Sequence, residues 1–249
     1  MFWSAETSLE AFLAAAKKIG FSAVEIWNRD ERFDELVMLC QKLNLTLASM
    51  CGHGSLTQGL NDAAQHDRIE AELRESIDIA ARFGIPGLIC FSGNRRADAD
   101  DETGITTTAQ GLRRVSPYAE KKGVNLNLEL LNSKVDHPGY QGDHTAWGMA
   151  VCREVGSPRV KLLYDIYHMQ IMEGDIIRTI RDNIQGIGHF HTAGVPGRQD
   201  IDDSQELAYR AICDAIAGSS YDLYLGHEFR PRTEPLQALQ NAYTICNCS

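Results

Sequence analysis

The sequence predicts a (β/α)₈ barrel, a TIM barrel formed by a single domain over residues 1–249, with a truncated first strand. Three observations support this fold class. The chain has 249 residues, a typical size for the architecture. Short apolar runs rich in β-branched residues alternate with amphipathic stretches from one end to the other. No linker rich in Pro or Ser interrupts the alternation, which favours one parallel sheet in one domain.

Seven apolar runs are predicted to be strands. They occupy residues 23–27, 45–50, 87–91, 124–130, 160–165, 184–191 and 221–229. A closed barrel needs an eighth strand, and only residues 1–5 are left for it, so we expect a short stub and incomplete closure. An open doubly wound sheet is the alternative. Such a sheet usually carries a glycine-rich phosphate turn after an early strand, and the chain has no such motif.

Eight amphipathic stretches are predicted to be helices. They occupy residues 8–19, 33–43, 65–83, 106–122, 145–155, 175–183, 204–217 and 234–245. Thr7 and Glu10 have the spacing of a capping box at the start of the first helix. Four glycines follow predicted helix ends, where a left-handed residue commonly stops a helix. They are Gly20, Gly84, Gly123 and Gly156.

Charge and cysteine content disfavour several functional classes. The chain has 24 Lys and Arg against 34 Asp and Glu, a formal net charge of -10, which disfavours binding to nucleic acid. Its 7 cysteines form no C-x-x-C pair, so neither a disulfide framework nor a zinc ribbon is expected. The first residues do not have the pattern of a signal peptide and no run of eighteen apolar residues occurs, so neither a secretory leader nor a membrane span is expected. We therefore expect a cytoplasmic protein that acts on a small molecule, away from membranes, with a homo-oligomer left open.

Metal-competent side chains end four consecutive predicted strands. Counting the stub as the first, the fifth to eighth strands end in Glu129, Asp165, His191 and Glu228. The carboxyl ends of barrel strands meet at one rim, where TIM-barrel active sites lie. Each carboxylate alone is also compatible with a helix cap or a solvated loop residue. Four such residues, about one βα unit apart, predict a common site.

A divalent cation is the predicted occupant of this site. Glu129 lies within an apolar run, where burying an unpaired carboxylate costs too much free energy. Three converging carboxylates also repel one another unless a cation lies between them. Three oxygen ligands and one imidazole favour Mn²⁺ or Mg²⁺, with Co²⁺ as a competent substitute. Such a cation would stabilise the enediolate of a hydroxycarbonyl compound, which is isomerase or epimerase chemistry.

Further polar residues of the same rim are candidates for substrate binding. Arg198 follows the seventh strand on a turn stiffened by Gly and Pro, and we expect it to anchor an acid or a terminal hydroxyl group. His53 follows the third strand, and His168, three residues after Asp165, is either a donor to substrate or a packing residue. His189 shares the inward face of His191 and is expected to support a ligand. Other loop cations are either substrate anchors or solvated: Arg95, Arg96, Lys134, Arg230 and Arg232.

Four segments resemble a known family: LLYDIYHMQIMEGD, GHFHTAGVPGR, ELLNSKVDHPGY and GHEF. Together they are similar to the hydroxypyruvate isomerases, xylose isomerase-like TIM barrels related to tagatose and psicose 3-epimerases and to endonuclease IV. The resemblance covers nearly the whole chain. It implies that the four strand-end residues bind the metal, that the two glutamates are the catalytic acid–base pair, and that three residues hold substrate oxygens. Those three are His53, His168 and Arg198.

Two departures from the family pattern bear on the substrate. Hydroxypyruvate isomerases carry Gln where this chain has His191, whereas the sugar epimerases carry His. The N-terminal MFWSAE resembles only the end of the epimerases' first strand. The leading hypothesis is a metal-dependent isomerase that converts hydroxypyruvate to tartronate semialdehyde through an enediolate. The alternatives are a ketose 3-epimerase or sugar isomerase, a non-catalytic sugar-binding barrel and, least favoured, an endonuclease IV-like nuclease.

Overall fold

The computed structural model of the protein describes residues 8–247. The predicted strand stub at residues 1–5 lies outside the described residues. Between residues 8 and 247, no helix combines the length and the apolar character needed to cross a lipid bilayer. Cys40, Cys51, Cys90, Cys152 and Cys213 are free thiols in the described part of the chain.

Eight parallel strand segments follow the order of the chain within the described residues. They are β1 (Ala23–Val24), β2 (Thr46–Leu47), β3 (Ser49–Cys51), β4 (Gly87–Cys90), β5 (Asn125–Glu129), β6 (Val160–Asp165), β7 (Ile187–Thr192) and β8 (Leu225–His227). β1 pairs with β2, and β3 to β8 form a six-stranded sheet in sequence order. Within each sheet, every strand therefore pairs with its successor in the chain, as a barrel requires.

One predicted strand is interrupted. The run predicted over residues 45–50 is divided at Ala48 into β2 and β3. The backbone nevertheless continues beside the preceding strand, because the N–H of Ala48 donates to Val24 at 2.7 Å and that of Cys51 donates to Trp27 at 2.8 Å. The two sheets are therefore consecutive parts of one curved wall.

Ten α-helices are present in the described residues. They are α1 (Leu9–Ile19), α2 (Phe33–Leu43), α3 (His66–Phe83), α4 (Asp101–Arg113), α5 (Ser116–Lys122), α6 (Thr145–Val155), α7 (Ile166–Met172), α8 (Ile176–Asn183), α9 (Tyr209–Ala217) and α10 (Pro235–Cys246). Short 3₁₀ turns occupy Ala63–Gln65 and Ile184–Gly186. Most bounds lie within a few residues of the predicted ones.

Two helix predictions are wrong in extent. The helix predicted over residues 106–122 is two helices, because Pro117 has no N–H to continue α4 and instead occupies the first turn of α5. The stretch 204–217 becomes helical only at Tyr209, since the Gln205 side chain binds both backbone groups of Leu207 and holds a turn there. Helix α7 was not predicted, because its sequence continues directly from β6.

Helix ends follow the predicted chemistry, with one correction. Gly84 and Gly123 end α3 and α5 with φ of 71° and 75°, in the left-handed region that suits glycine. At α1 the cap is Ser8, whose hydroxyl accepts the N–H of Ala11, and Thr7 of the predicted capping box lies outside the described residues.

The two faces of the strands have different partners. Leu126 and Leu128 of β5 belong to the main apolar core. Side chains two residues apart share a face, so the intervening Asn127 and Glu129 face the barrel interior together. Both are buried, at 2% and 4% relative exposure. Polar groups are thus enclosed along the interior of the barrel and lead towards the rim where β5 ends.

Candidate active site

Four side chains of metal-ligand type converge at the carboxyl ends of the strands. One ligand atom from each of Glu129, Asp165, His191 and Glu228 lies within 4.8 Å of the others, and all four residues are buried. His191 Nδ1 lies 3.0 Å from Glu228 Oε2, 3.6 Å from Glu129 Oε1 and 4.0 Å from Asp165 Oδ2. We call these four residues the rim cluster. The structure brings them together, and their binding of a cation stays a prediction.

Strand register places the rim cluster in one layer. Asp165 of β6 is the direct partner of His191 of β7, which puts their side chains side by side. Glu228 follows β8, and its N–H donates to the carbonyl oxygen of Thr192 at 2.9 Å. Glu129 is the last residue of β5. Each step from one strand to the next therefore delivers one ligand-type side chain to the same level of the rim.

The two carboxylate oxygens of Asp165 make different contacts. Oδ1 accepts the N–H groups of Tyr167 at 2.8 Å and His168 at 3.3 Å, so Asp165 is the N-cap of α7. Oδ2 faces the rim cluster, 3.9 Å from Arg198 Nη2. The helix-cap and ligand interpretations of this residue are therefore compatible.

The rim cluster lacks enough positive charge to balance its carboxylates. Burial raises the pKa of Glu129 to about 7, and repulsion from Glu228 and Asp165 adds to this effect. Burial likewise raises the pKa of Asp165 to about 6. Burial would also raise the pKa of Glu228, but attraction by His191 and Arg198 outweighs it and sets that pKa at about 2. Ionising all three carboxylates together would need additional positive charge.

The donor set fits a divalent cation of the Mn²⁺ or Mg²⁺ type. Glu228 Oε1 and His191 Nδ1 are buried and have no hydrogen-bond partner among residues 8–247. Polar atoms left unpaired away from water are costly, so these atoms suit a bound ligand. Carboxylate oxygens with one imidazole nitrogen are hard to borderline donors, which match such cations.

His168 presents an N–H donor beside the rim cluster. The Asn132 amide orientation is fixed because its oxygen accepts the N–H groups of Val135 and Asp136. Its nitrogen therefore donates to His168 Nδ1 at 2.6 Å, and the proton of the neutral ring resides on Nε2. Burial and nearby Arg198 keep the pKa of His168 well below 6.5. Nε2 lies 3.6 Å from Asp165 Oδ2 and is otherwise without a partner among the described residues.

His53 is fixed in a similar way. Its Nε2 accepts the N–H of Phe91 at 2.9 Å, so the proton of the neutral ring lies on Nδ1. Burial lowers the pKa of His53 to about 4, which keeps the ring neutral at pH 7. Nδ1 is buried and without a hydrogen-bond partner in the described part of the chain. His53 therefore holds an unused donor.

Arg198 reaches the rim cluster directly. Its Nη2 lies 2.6 Å from Glu228 Oε2, and its guanidinium lies over the Tyr167 ring, 5.7 Å from the ring centroid. The backbone at Arg198 is left-handed, with φ of 56°. Hydrogen bonds between Gly194 and Gln199 close the turn that contains it. Nε is buried and unpaired within residues 8–247, which leaves a donor free for a substrate.

Most other cationic side chains of the rim loops already pair with carboxylates or carbonyl oxygens of neighbouring residues. Arg96 pairs with Asp62 at 2.8 Å and with Asp98 at 2.9 Å. Lys134 donates to the carbonyl oxygens of Ile171 and Met172, where α7 ends. Two further arginines also form ion pairs: Arg95 pairs with Asp101 and Asp143, and Arg232 pairs with Asp202. These residues stabilise loops, which makes them weaker candidates for substrate anchoring than Arg198.

Sequence reasoning missed Glu25, which follows β1. Its Oε2 accepts from His189 Nε2 at 2.8 Å, and its Oε1 lies 3.2 Å from His191 Nε2. Despite burial, these histidines hold the pKa of Glu25 well below 4.5. Although burial opposes it, attraction by Glu25 and Glu228 raises the pKa of His191 well above 6.5. A carboxylate inside the apolar run AVEIW was the available signal, and it is the same signal that marked Glu129.

A cavity adjoins the rim cluster on the side of β8. Its volume is about 610 Å³, and it lies between the β1 and β8 segments. Apolar side chains such as Phe12, Val24 and Leu36 form much of its wall, while Glu228 and Arg198 reach it from the rim. Of the rim cluster, Glu228 alone is among the lining residues, so the cavity reaches the cluster at one edge.

Comparison with known proteins adds independent information on the fold. The family model of the xylose isomerase-like TIM barrels matches residues 13–244. Among solved structures, AP endonuclease family 2 from Brucella melitensis superposes with a TM-score of 0.81 at 23% identity, covering 96% of this chain and 94% of that one. D-psicose 3-epimerase from Clostridium cellulolyticum H10 gives a TM-score of 0.79 at 18% identity, covering 97% and 95%. These matches confirm the predicted barrel.

Curated proteins with similar sequences span nearly the whole chain. A 2-oxo-tetronate isomerase of Cupriavidus necator is 33% identical over 238 residues, which is 93% of this chain and 90% of the relative. The hydroxypyruvate isomerase of Escherichia coli is 29% identical over 225 residues, 88% of this chain and 86% of the relative. The resemblance inferred from sequence motifs is confirmed by these relatives.

Proposed function

The chain belongs to the xylose isomerase-like TIM barrel family, and we propose that it is a metal-dependent isomerase of a short α-hydroxy-oxo acid. The observation that carries the proposal is the buried rim cluster, whose three carboxylates and one imidazole have the composition of a cation site. Similarity to relatives named for 2-oxo-tetronate and hydroxypyruvate supports the substrate class. The reaction we assign is conversion of hydroxypyruvate to tartronate semialdehyde.

Glu129, Asp165, His191 and Glu228 would hold the cation, with Mn²⁺ or Mg²⁺ preferred and Co²⁺ as a substitute. When bound, the cation would supply Lewis-acid stabilisation of negative charge on two neighbouring substrate oxygens. Asp165 Oδ1 stays on the first turn of α7, so only Oδ2 faces the cation position. The open side of the site would then belong to the substrate.

Glu129 and Glu228 would move the proton. They approach His191 Nδ1 from two strands, β5 and the end of β8, and so flank the site from different sides. In hydroxypyruvate, one carboxylate would remove a proton from C3 and yield an enediolate, and a proton would then be delivered to C2. The hydroxyl proton on O3 passes to O2, so the product has the same composition as the substrate. Positioned carboxylates typically contribute roughly 10²- to 10⁴-fold to such steps.

The remaining candidate residues would orient the substrate. His168 Nε2–H and His53 Nδ1–H are buried donors without partners in the described residues, suited to substrate oxygens. Arg198 would pair with the substrate carboxylate through donors that Glu228 does not occupy. All three therefore keep the substrate-binding roles that the family resemblance implies.

Epimerisation of a ketose at C3 is a second candidate, favoured by the identity of His191. An imidazole at this position matches the epimerase pattern rather than the isomerase pattern. The same two glutamates would then remove and return a proton at one carbon from opposite faces. Isomerisation and epimerisation therefore differ in substrate and in the carbon that is labelled by solvent.

Turnover of a substrate panel tests the proposal. We expect isomerisation of hydroxypyruvate or 2-oxo-tetronate in the presence of Mn²⁺ or Mg²⁺, with solvent deuterium appearing at the reacting carbon by NMR. Fructose and tagatose test the epimerase candidate, and the Asp165→Ala variant is the control. Metal binding without turnover of any panel member would indicate a sugar-binding barrel. Several zinc ions per chain together with cleavage of abasic DNA would contradict the proposal in favour of a nuclease.

A further inference from the structure

We propose that Glu25 is a positioning residue that aims the His191 ring at the rim cluster; this inference rests on the proposed metal-dependent function. Glu25 lies outside the four clustered residues and follows β1, which belongs to a different sheet from β7. One carboxylate oxygen lies 2.8 Å from His189 Nε2 and the other lies 3.2 Å from His191 Nε2. A single side chain thus reaches two neighbouring histidines of β7.

The two nitrogens of His191 face opposite surroundings. Nδ1 faces the carboxylates of the rim cluster, with Glu228 Oε2 3.0 Å away. Nε2 faces Glu25. An ionised carboxylate only accepts hydrogen bonds, so it selects the ring form with a proton on Nε2. Nδ1 is then the nitrogen that offers a lone pair to a cation, and a partner of this kind fixes both tautomer and ring orientation.

His189 holds the Glu25 carboxylate in place. It lies two residues before His191 on β7, on the same buried face of the strand. The two rings meet edge to face, with centroids 5.1 Å apart and an interplanar angle of 81°. Because His189 Nε2 donates to Oε2, the other oxygen of Glu25 stays directed at His191. Under this proposal His189 supports the rim cluster indirectly, through Glu25.

Gly226 leaves the space through which Glu25 reaches His191. It is the β8 residue that pairs in register with His191. A Cβ atom placed on Gly226 would lie 2.4 Å from Glu25 Oε1 and 2.9 Å from Oε2. Any side chain there would push the carboxylate away from the ring. The absence of a side chain at Gly226 and the reach of Glu25 are therefore two parts of one arrangement.

A second cation held by Glu25 is the competing interpretation. Ligand atoms of Glu25, His189 and His191 also lie within 4.8 Å of one another. Both Glu25 oxygens, however, already lie within 3.2 Å of a ring nitrogen. Binding one cation at each nitrogen would also require His191 to lose its ring proton altogether. We therefore expect one cation per chain.

The test measures cation affinity and the His191 ring directly, without turnover. Titration calorimetry with Mn²⁺ alone should show roughly 10- to 100-fold weaker binding for Glu25→Gln, the usual effect of losing a partner of a ligating histidine. The amide oxygen of Gln accepts from only one of the two rings. Gly226→Ala should weaken binding in the same direction. Nitrogen-15 NMR of the Mg²⁺-loaded protein should show a proton on His191 Nε2 in the wild type and loss of that single form in Glu25→Gln.

Glu173→Gln is the matched control, because the Glu173 carboxylate accepts the N–H and hydroxyl of Thr145 at the start of α6. It should leave Mn²⁺ affinity unchanged, and thermal melts should verify that every variant folds.

Should Glu25→Gln fail to fold, Gly226→Ala and Glu25→Asp provide the same test. Equal Mn²⁺ affinity and an unchanged His191 tautomer would overturn the inference for Glu25 alone. Two ions in the wild type and one in Glu25→Gln would make Glu25 a ligand instead. No Mn²⁺ binding by the wild type would overturn the proposed function itself.

Discussion

Charged side chains gather in two regions of the molecule, the rim cluster and the surrounding loops, and the two regions balance their charge differently. In the loops, opposite charges pair in contact with water: the Arg96 side chain is 39% exposed and its partner Asp98 is 70% exposed. In the rim cluster, the Asp165 and Glu228 side chains are only 1% and 4% exposed. There, three carboxylates share one histidine and one arginine.

This difference separates charges that stabilise loops from charges of the candidate active site. An exposed ion pair contributes about 0–1 kcal/mol, and its charges are already balanced. Buried carboxylates interact strongly and lose the hydration that would stabilise them, so an excess of negative charge among them is relieved by protonation or by a bound cation. In this molecule the unbalanced region is the candidate active site, and the balanced arginines hold loops together. Substitutions in the two regions should therefore have very different consequences.

The largest expected effect comes from removing Asp165. We predict that Asp165→Ala abolishes both cation retention and activity, because it removes one ligand oxygen and the cap of α7. Asp165→Asn separates the two roles, since its amide oxygen can still accept from Tyr167 while the charge is lost. Elemental analysis and circular dichroism provide the measurements. Full cation occupancy in Asp165→Ala, with the helical signal retained, would contradict the ligand assignment.

Replacing either glutamate of the proposed acid–base pair should leave part of the cation site but slow proton transfer. We predict that Glu129→Gln and Glu228→Gln each slow turnover by roughly 10²- to 10⁴-fold, because the amide keeps an oxygen ligand and removes the base. Deuterium exchange between substrate and solvent, followed by NMR, should be lost in parallel. Wild-type turnover without deuterium incorporation would favour a hydride shift or an internally recycled proton over this mechanism.

Acid should weaken cation binding. The raised pKa values of about 7 for Glu129 and about 6 for Asp165 mean that both carry protons below those values, and a cation must displace them. Affinity for Mg²⁺ should therefore fall as the pH falls through this range, by up to about tenfold per pH unit for each proton displaced. Calorimetry in buffers of different ionisation enthalpy counts the protons released. If the affinity for Mg²⁺ did not change between about pH 5.5 and 7.5, this linkage would be excluded.

A conservative change at Arg198 should have a moderate effect. We predict that Arg198→Lys weakens binding of the acidic substrate by more than tenfold, about 1.5–3 kcal/mol, because lysine cannot provide the bidentate donor geometry. Turnover should also decrease, since Arg198 contacts Glu228. Steady-state kinetics on hydroxypyruvate and on a neutral ketose separate the two contributions. Unchanged kinetics on the acid would shift the assignment towards neutral ketoses.

The smallest effect is expected in the loops. We predict that Arg96→Gln changes the free energy of unfolding by less than about 1 kcal/mol and leaves KM unchanged, because water screens its pairs with Asp62 and Asp98. Thermal denaturation and steady-state kinetics test this directly. A large increase in KM would assign Arg96 to substrate binding and remove the proposed contrast between the two regions.

Strand ends were predictable because the relevant signal is local. Burial of a carboxylate within an apolar run identified Glu129, and the regular βα spacing identified its three companions. Glu25 carries the same local signal, but the sequence does not show that its carboxylate contacts the histidines of β7. The contact between Arg198 and Glu228 was also hidden, since it depends on how two loops meet.

Helix predictions failed where a single residue is compatible with two kinds of local structure. Pro117 fits either a loop or the first turn of a helix, so the division between α4 and α5 was not apparent from apolar spacing alone. Helix α7 was missed because Asp165 ends a strand and caps a helix without an intervening loop. The role of Asn132 depends on backbone groups of its own loop, and these become known only once that loop is built.

The shared carboxylate of Asp165 also bears on how such a site can diversify. One oxygen fixes the turn that carries His168, and the other faces the rim cluster, so both are held in a single rigid frame. Loop substitutions around this frame can alter which substrate is admitted while the spacing between cation and donor persists. Changes at Asp165 itself alter helix and site at once. Variation in specificity is therefore expected in the surrounding loops, with Asp165 kept unchanged.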